Sequence, residues 1–248
     1  MKVIYTDNNA TTQVDDKVIQ EMLPFWGEFY GNPSSMHTFG GQVGKKLDEA
    51  RQKVAKLINA APDEIVFTSC GTESDNSAVH FALNACPEKK HIITSNVEHP
   101  AINNLFKYLK QKKGYRVTFV PVDEKGMLDL NALYESLSDD TALVSLMWAN
   151  NETGVLFPVA EVAEKIKEKG ILFHTDAVQA VGKVPVDVQA ARVDFLSLSG
   201  HKIHAPKGIG ALYVRKGLKV SPFLIGGHQE KGRRGGTENV ASMIALGK

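Results

Sequence analysis

Two cysteines, Cys70 and Cys86, are all that the 248 residues hold, and no C-x-x-C pair spaces them. That argues against a structural zinc site and a disulfide framework, and it fits a reducing cytoplasm. Charge of one sign is missing as well. The formal net charge of +1 gives no reason to expect nucleic acid or an acidic membrane as the main partner. No apolar run reaches the roughly 18 residues that a membrane helix needs. The opening "MKVIYTDNNATT" lacks an apolar signal core followed by a small-residue cleavage site. Neither GxxxxGKS/T nor GxGxxG follows any strand-like run, which excludes a P-loop and the common dinucleotide fingerprint. Internal repeats, low-complexity tracts and obvious linkers are absent too. What the chain has is apolar material: hydrophobic residues make up 43%, enough for a real core. Its length suits one large α/β domain or two small ones.

Seven short runs rich in β-branched and aromatic residues read as strands: "EIVFTS", "HIITS", "YRVTFVPV", "ALVSLMWA", "ILFHTD", "DFLSLS" and "GALYVR". Amphipathic stretches alternate with them. Val43, Leu47, Ala50, Val54 and Leu57 recur at helical spacing, as do Ile102, Leu105, Phe106 and Leu109. "PVAEVAEKIKEKG" opens on proline and closes on glycine, the asymmetry expected of a helix. Near-continuous apolar strands alternating with helices imply an α/β fold, a mostly parallel sheet covered by helices on both faces. The first dozen residues stand outside that alternation and read as an arm.

Ligands of such sheets bind beyond the carboxyl ends of the strands. Five of those ends carry polar or ionisable groups. Cys70-Gly71-Thr72-Glu73-Ser74 follows the first run, and Glu98-His99 the second. Asn150 to Gly154 follow the fourth, Thr175, Asp176 and Gln179 the fifth, and Ser199-Gly200-His201-Lys202 the sixth. The Gly71-Thr72 turn entering a helix suits an anion, although Thr72 or Ser74 serving only as a helix cap explains it equally well. Asp176 ends a buried strand, where a carboxylate needs a cation or a metal. Lys202, at a strand end rather than on a solvated face, suits covalent chemistry with a carbonyl. An anion cradle, an Asp and a Lys are together the recurring needs of pyridoxal phosphate. His99 is placed to move protons over its ring. Metal binding by His201 and His204 is the rival reading. It ranks lower, because no HExxH-type motif accompanies them.

The motifs "DNNATT", "GNPSSMH", "TESDN", "EHPA", "MWANNETG", "HTDAVQAVGK", "SLSGHKIHAPKGIG" and "RRGGTEN" run in order along essentially the whole chain. Together they strongly resemble the cysteine desulfurases, and among these the nitrogen-fixation type. The resemblance implies an aspartate aminotransferase-like, fold type I pyridoxal-phosphate enzyme. Such an enzyme converts L-cysteine to L-alanine and passes persulfide sulfur to an iron–sulfur scaffold protein. It implies Lys202 as the Schiff-base lysine, Asp176 on the pyridine nitrogen and Gln179 on the ring hydroxyl oxygen. His99 would stack on the ring as acid and base. Gly71, Thr72, Ser199 and His201 would hold the phosphate, Gly200 would join the cofactor-binding set, and Asn150 would lie on the substrate side. Thr237 would reach the phosphate of a neighbouring subunit in a cytoplasmic homodimer, with neither nucleic acid nor membrane as partner.

The same resemblance sets residues 1–14 as an N-terminal arm and 15–248 as the pyridoxal-phosphate-binding large domain. It departs from the family at Gly235, where the family usually has Ser. It departs again at the end, where family members continue into a small domain with the nucleophilic cysteine and the arginine that grips the substrate carboxylate. On this reading the chain is a fragment, inactive alone, and neither Cys70 nor Cys86 is the persulfide carrier. The alternatives are another pyridoxal-phosphate lyase or aminotransferase, and a non-catalytic scaffold of the same fold.

Overall fold

Each of the seven apolar runs becomes a strand in the computed structural model, which describes residues 3–248; Met1 and Lys2 of the expected arm lie outside them. The strands are β1 (Ile65–Thr68), β2 (His91–Ser95), β3 (Arg116–Val120), β4 (Thr141–Met147), β5 (Leu172–Asp176), β6 (Phe195–Ser199) and β7 (Gly210–Val214). They form one sheet in the order β1-β7-β6-β5-β4-β2-β3. From β3 through β6 every pair is parallel, whereas β7 runs antiparallel to both β6 and β1. A parallel return needs a crossover, usually a helix. Only a single 3-10 turn, Gly200–Lys202, stands between β6 and β7, so β7 comes straight back. Being antiparallel to both neighbours, it leaves β1 pointing the same way as β6. The carboxyl ends of β1, β2, β4, β5 and β6 therefore share one edge.

The helices among the described residues are α1 (Asp16–Met22), α2 (Pro24–Gly27), α3 (Thr38–Leu57), α4 (Gly71–Ala85), α5 (Pro100–Lys113), α6 (Leu130–Ser136), α7 (Val159–Glu168), α8 (Val188–Ala191) and α9 (Val240–Gly247). Two apolar clusters sandwich the sheet. One joins α3, α7 and α9 through Leu47, Val54, Ile166 and Met243 to Val144, Leu146 and Phe173 of the strands. The other joins α4 and α5 through Val79, Phe81, Ile102 and Phe106 to Leu143, Phe195 and Leu212. Neighbours in sequence such as Leu143 and Val144 go to opposite faces, as the two-residue repeat of a strand requires. The helical stripe holds except at Leu57, which ends α3 47% exposed while Ile58 is buried in its stead. Pro158 proves to be the N-cap of α7, and Gly170, just past its C-cap, takes a positive φ of 63°.

The arm is less separate than its sequence suggests. Residues 3–14 form neither helix nor strand. Even so, the backbone N–H and Oγ1 of Thr12 donate to the carbonyl of His201 at 2.8 and 2.9 Å, and the N–H of His204 donates to Thr12 Oγ1 at 2.8 Å. These bonds stitch the arm to the turn that carries Lys202.

Candidate active site

The five strand ends open into one cavity of about 560 Å³. Its first wall is the start of α4. Cys70 is the N-cap there, its Sγ accepting the N–H of Glu73 at 3.4 Å. The capping alternative for Thr72 and Ser74 is thus corrected. Ser74 turns inward to Thr68 Oγ1 (2.7 Å) and to the carbonyl of Ala211 (3.1 Å), and Thr72 remains exposed on the cavity wall. Gly71 lets the helix start approach the neighbouring loops. A Cβ on it would lie 2.9 Å from Val178 Cγ2 and 3.4 Å from Ser199 Cβ. Ser199 and His201 face this helix start from the end of β6.

The base of the cavity is acidic and its rim basic. Asp176 is 6% exposed, and its Oδ1 accepts the N–H of Val178 at 2.9 Å. Burial raises its pKa, while Lys202 and His99 pull the other way and favour the anion. Lys202, half-buried, donates its Nζ to the backbone carbonyls of Asn9 and, at 2.8 Å, Ala10. Burial and the nearby Lys183 lower its pKa, which favours the neutral amine a nucleophile needs. His99 caps α5, its Nδ1 accepting the N–H of Ala101 at 3.2 Å, so Nε2 is the ring atom left for chemistry. Gln179 donates to the carbonyl of Asn9 at 2.9 Å and accepts from Lys183 Nζ.

Gly71, Thr72, His99, Asp176, Gln179, Ser199, His201 and Lys202 all line this cavity; Asn150, Gly200 and Thr237 do not. Asn150 spends its side chain on its own turn. Its Oδ1 accepts the N–H groups of Glu152 and Thr153, both at 2.9 Å, and Nδ2 donates to the carbonyl of Val97 at 3.3 Å. It thereby presents Asn151 and Glu152 to the cavity instead. Gly200 is packed under the turn, where a Cβ would lie 2.8 Å from Ile209 Cγ2. Thr237 lies exposed beside a second, smaller cavity next to Arg234.

The two arginines of the "RRGGTEN" segment are tied to the body of the chain. Arg234 pairs with Glu73 of α4 at 2.8 Å, and Arg233 donates to the carbonyls of Asp63 and Ile65 at 2.8 and 3.0 Å. Both guanidinium groups are engaged, because buried carboxylates and carbonyls at this edge need donors. Gly235 fits this packing: a Cβ there would lie 2.6 Å from the backbone of Gly226. Sequence reasoning missed Asp7, Asn9 and Ala10 of the arm, and Asp75, all on the cavity wall. Asp75 did leave a signal, as an acid within the face of α4 that also carries Ser74, Ala78, Val79 and Ala82.

This donor set fits pyridoxal phosphate. The Gly71 helix start with Thr72, Ser199 and His201 offers uncharged donors and a helix dipole to a phosphate. Lys202 offers an amine to an aldehyde. Asp176, deep and short of a full ion-pair partner, offers a carboxylate to a ring cation. The two histidines of the metal reading each have one ring nitrogen engaged: His201 Nδ1 meets Thr11 Oγ1 at 3.1 Å, and His204 Nδ1 meets the carbonyl of Gln13 at 3.0 Å.

The aminotransferase class-V family profile matches residues 4–248. The chain belongs to that family. It is 61% identical over its whole length to cysteine desulfurase 2 of Trichormus variabilis, and 59% identical to cysteine desulfurase NifS of Azotobacter vinelandii. It spans 62% and 61% of those proteins, respectively. Among solved structures it is similar to a NifS-like protein, with a TM-score of 0.95 and 44% identity over 98% of this chain and 67% of that one. It is also similar to SspA in complex with cysteine, with a TM-score of 0.95 and 36% identity over 99% of this chain and 71% of that one. The fold is the fold type I arrangement that the family resemblance implies.

Proposed function

We propose that this chain carries the cofactor-binding part of a pyridoxal-phosphate-dependent cysteine desulfurase that converts L-cysteine to L-alanine and supplies persulfide sulfur to iron–sulfur cluster assembly. The observation that carries the reading is the convergence of Lys202, Asp176 and the α4 helix start on one cavity. Identity of 61% and 59% to two curated cysteine desulfurases supports it, as does a structural relative solved with cysteine. When bound, pyridoxal phosphate supplies an electron sink for negative charge at the substrate α-carbon.

The chain's own residues divide the remaining work. Lys202 would anchor the cofactor's aldehyde carbon through its Nζ amine. Asp176 keeps the ring nitrogen protonated. Gln179 Nε2 serves the ring hydroxyl oxygen, and Gly71, Thr72, Ser199 and His201 hold the phosphate. His99 moves a proton at Nε2. Asn150 acts through the turn it braces, and Gly200 through the turn that aims Lys202. The exposed Thr237 reaches the phosphate of a second copy, in a homodimer working in the cytoplasm. Neither cysteine is assigned as sulfur acceptor, since Cys70 and Cys86 form the two caps of α4.

Borohydride treatment of the protein loaded with pyridoxal phosphate should leave the label on the peptide containing Lys202. In a separate sample not treated with borohydride, L-alanine should appear from L-cysteine when the complete protein is assayed. Label on another lysine would refute the anchor. Pyruvate in place of alanine would move the reaction to β-elimination, and a colourless protein that binds its partners would make it a scaffold.

A further inference from the structure

A carboxylate buried without donors is costly as an ion. Three carboxyl groups from three elements gather beneath the cavity: Asp75 of α4, Glu98 of the turn after β2, and Asp176 of β5. They are 1%, 5% and 6% exposed. They act on one another electrostatically, Asp176 on both of the others and Glu98 on Asp75. Their surroundings differ in kind. Asp176 has the N–H of Val178, and it faces Lys202 and His99 on the open side.

Asp75 has less support: burial, Asp176 and Glu98 work against its anion, although the Ser197 hydroxyl favours it. Its Oδ1 is enclosed and has no hydrogen-bond partner. The nearest ring nitrogen is Nε2 of His174, at 3.6 Å. That nitrogen is engaged with Ser197 Oγ at 2.9 Å, and Nδ1 of the same ring with Ser145 Oγ at 2.8 Å. Burial pushes the His174 pKa down to about 3, so this ring brings no charge to Asp75. Glu98 accepts the Ser95 hydroxyl at 2.6 Å and the N–H of Met147 at 3.0 Å, both through Oε1. Its Oε2 is enclosed without a partner. Among the described residues, Asp176 is thus the carboxyl of the three that Lys202 and His99 face, whereas Asp75 and Glu98 each keep an enclosed oxygen with no partner.

We propose that Asp75 and Glu98 stand as neutral carboxylic acids and are positioning residues, leaving Asp176 the sole anion beneath the cavity. This deepens, and rests on, the reading of Asp176 as the partner of a protonated ring nitrogen. The physical reason is charge economy. Three anions in a floor of low dielectric would repel one another and draw a proton onto Asp176, the group that must keep its charge. One anion matches one ring cation. Burial also pushes the pKa of Asp75 well up and that of Glu98 up to about 8. The other titratable groups around this floor are Cys70 at the start of α4, His174 of β5, and His99 and Lys202 on the open side, with Asp7, Glu152 and His201 on the cavity wall.

Infrared spectroscopy of the folded protein without cofactor, at neutral pH, tests the protonation directly. The expected result is a deuterium-sensitive carboxylic acid C=O band that weakens in Asp75→Asn and again in Glu98→Gln. Absence of that band, or a band unchanged in both variants, overturns the proposal. Should one variant fail to fold, the unsubstituted protein and the other variant still decide. A second arm follows the absorbance of bound pyridoxal phosphate against pH. Asn and Gln replace a neutral acid with a neutral amide, so the midpoint should stay within about 0.3 units of the unsubstituted protein. A shift of about one unit or more would show that Asp75 or Glu98 had carried charge. If the protein took up no cofactor, the functional reading would fail while the infrared arm still ruled on the carboxyls.

Discussion

Single residues at this site are set by what their neighbours leave unsatisfied. Asp176 is buried, with a single backbone donor on Oδ1, which makes it a receptor for positive charge rather than a structural brace. Replacing it by Asn keeps the shape and removes the charge. The Asp176→Asn variant should still fold and take up pyridoxal phosphate, yet lose at least ~100-fold in kcat with a smaller change in KM, because a preorganised charge acts chiefly in the transition state. Steady-state kinetics on the complete, loaded protein check this, and unchanged turnover would remove Asp176 from the ring nitrogen. Lys202 differs from a surface lysine in the same way. The arm's carbonyls hold its amine in place, and its lowered pKa follows from burial and from Lys183. Sequence pointed to both residues, because each places a charge at the end of an apolar run. It did not point to the carbonyls of Asn9 and Ala10, since a backbone group has no signature in the side-chain alphabet.

At the scale of elements, the edge of the sheet beside β1 is held by a buried ion pair. Arg51 of α3 meets Glu230 through two bonds of 2.7 and 2.6 Å, and Glu230 also accepts the N–H of Phe67 at 2.8 Å. Glu230 and Lys231 both take left-handed φ values, 48° and 58°, a conformation that persists only when the surroundings over-determine it. The pair therefore clamps the segment leading to Arg234 and Thr237. Arg51→Met should destabilise the protein by about 3–5 kcal/mol, since it strands the buried Glu230. The double variant Arg51→Met/Glu230→Met should recover much of that loss. Urea denaturation of the two variants reads this directly, and equal losses in both would refute the clamp. None of this was visible along the chain, where Arg51 and Glu230 stand 179 positions apart.

For the whole molecule, buried histidines and buried acids tilt stability in opposite directions with pH. Burial holds His91 at about 4 and His174 at about 3, against 6.5 for the free side chain. Their folded pKa values are depressed, so below 6.5 the unfolded chain binds protons that the folded chain does not. Their contribution is present above pH 6.5 and is lost as pH falls toward 4 and then 3. Glu98 has the reverse sign. Its folded pKa is raised to about 8 from 4.5, so its contribution is full below pH 4.5 and is lost as pH rises toward 8. Denaturation at stepped pH should show Glu98→Gln flattening the alkaline limb and His91→Gln flattening the acid limb; limbs unmoved by either substitution would refute the assignment. The proposed homodimer belongs to this scale too. Thr237→Ala should weaken retention of pyridoxal phosphate, checked by dialysis alongside sedimentation, and a monomer that holds its cofactor fully would contradict it.

Sequence alone determined the seven strands, the parallel character of the sheet and the list of reactive groups, because each depends on local pattern. Apolar runs of strand length, helical spacing such as Val43-Leu47-Ala50-Val54, and charges at run ends all lie within a few residues. The tertiary structure alone decided three further things. It turned β7 antiparallel, through a connection too short for a crossover. It folded the arm onto the Lys202 turn, through hydrogen bonds spanning up to 193 positions. And it sorted the polar residues of the strand ends into those that face the cavity, such as Asp176, and those spent on turns, such as Asn150. The side-chain direction that separates the two is fixed by backbone geometry and by distant partners, neither of which is written in the order of residues.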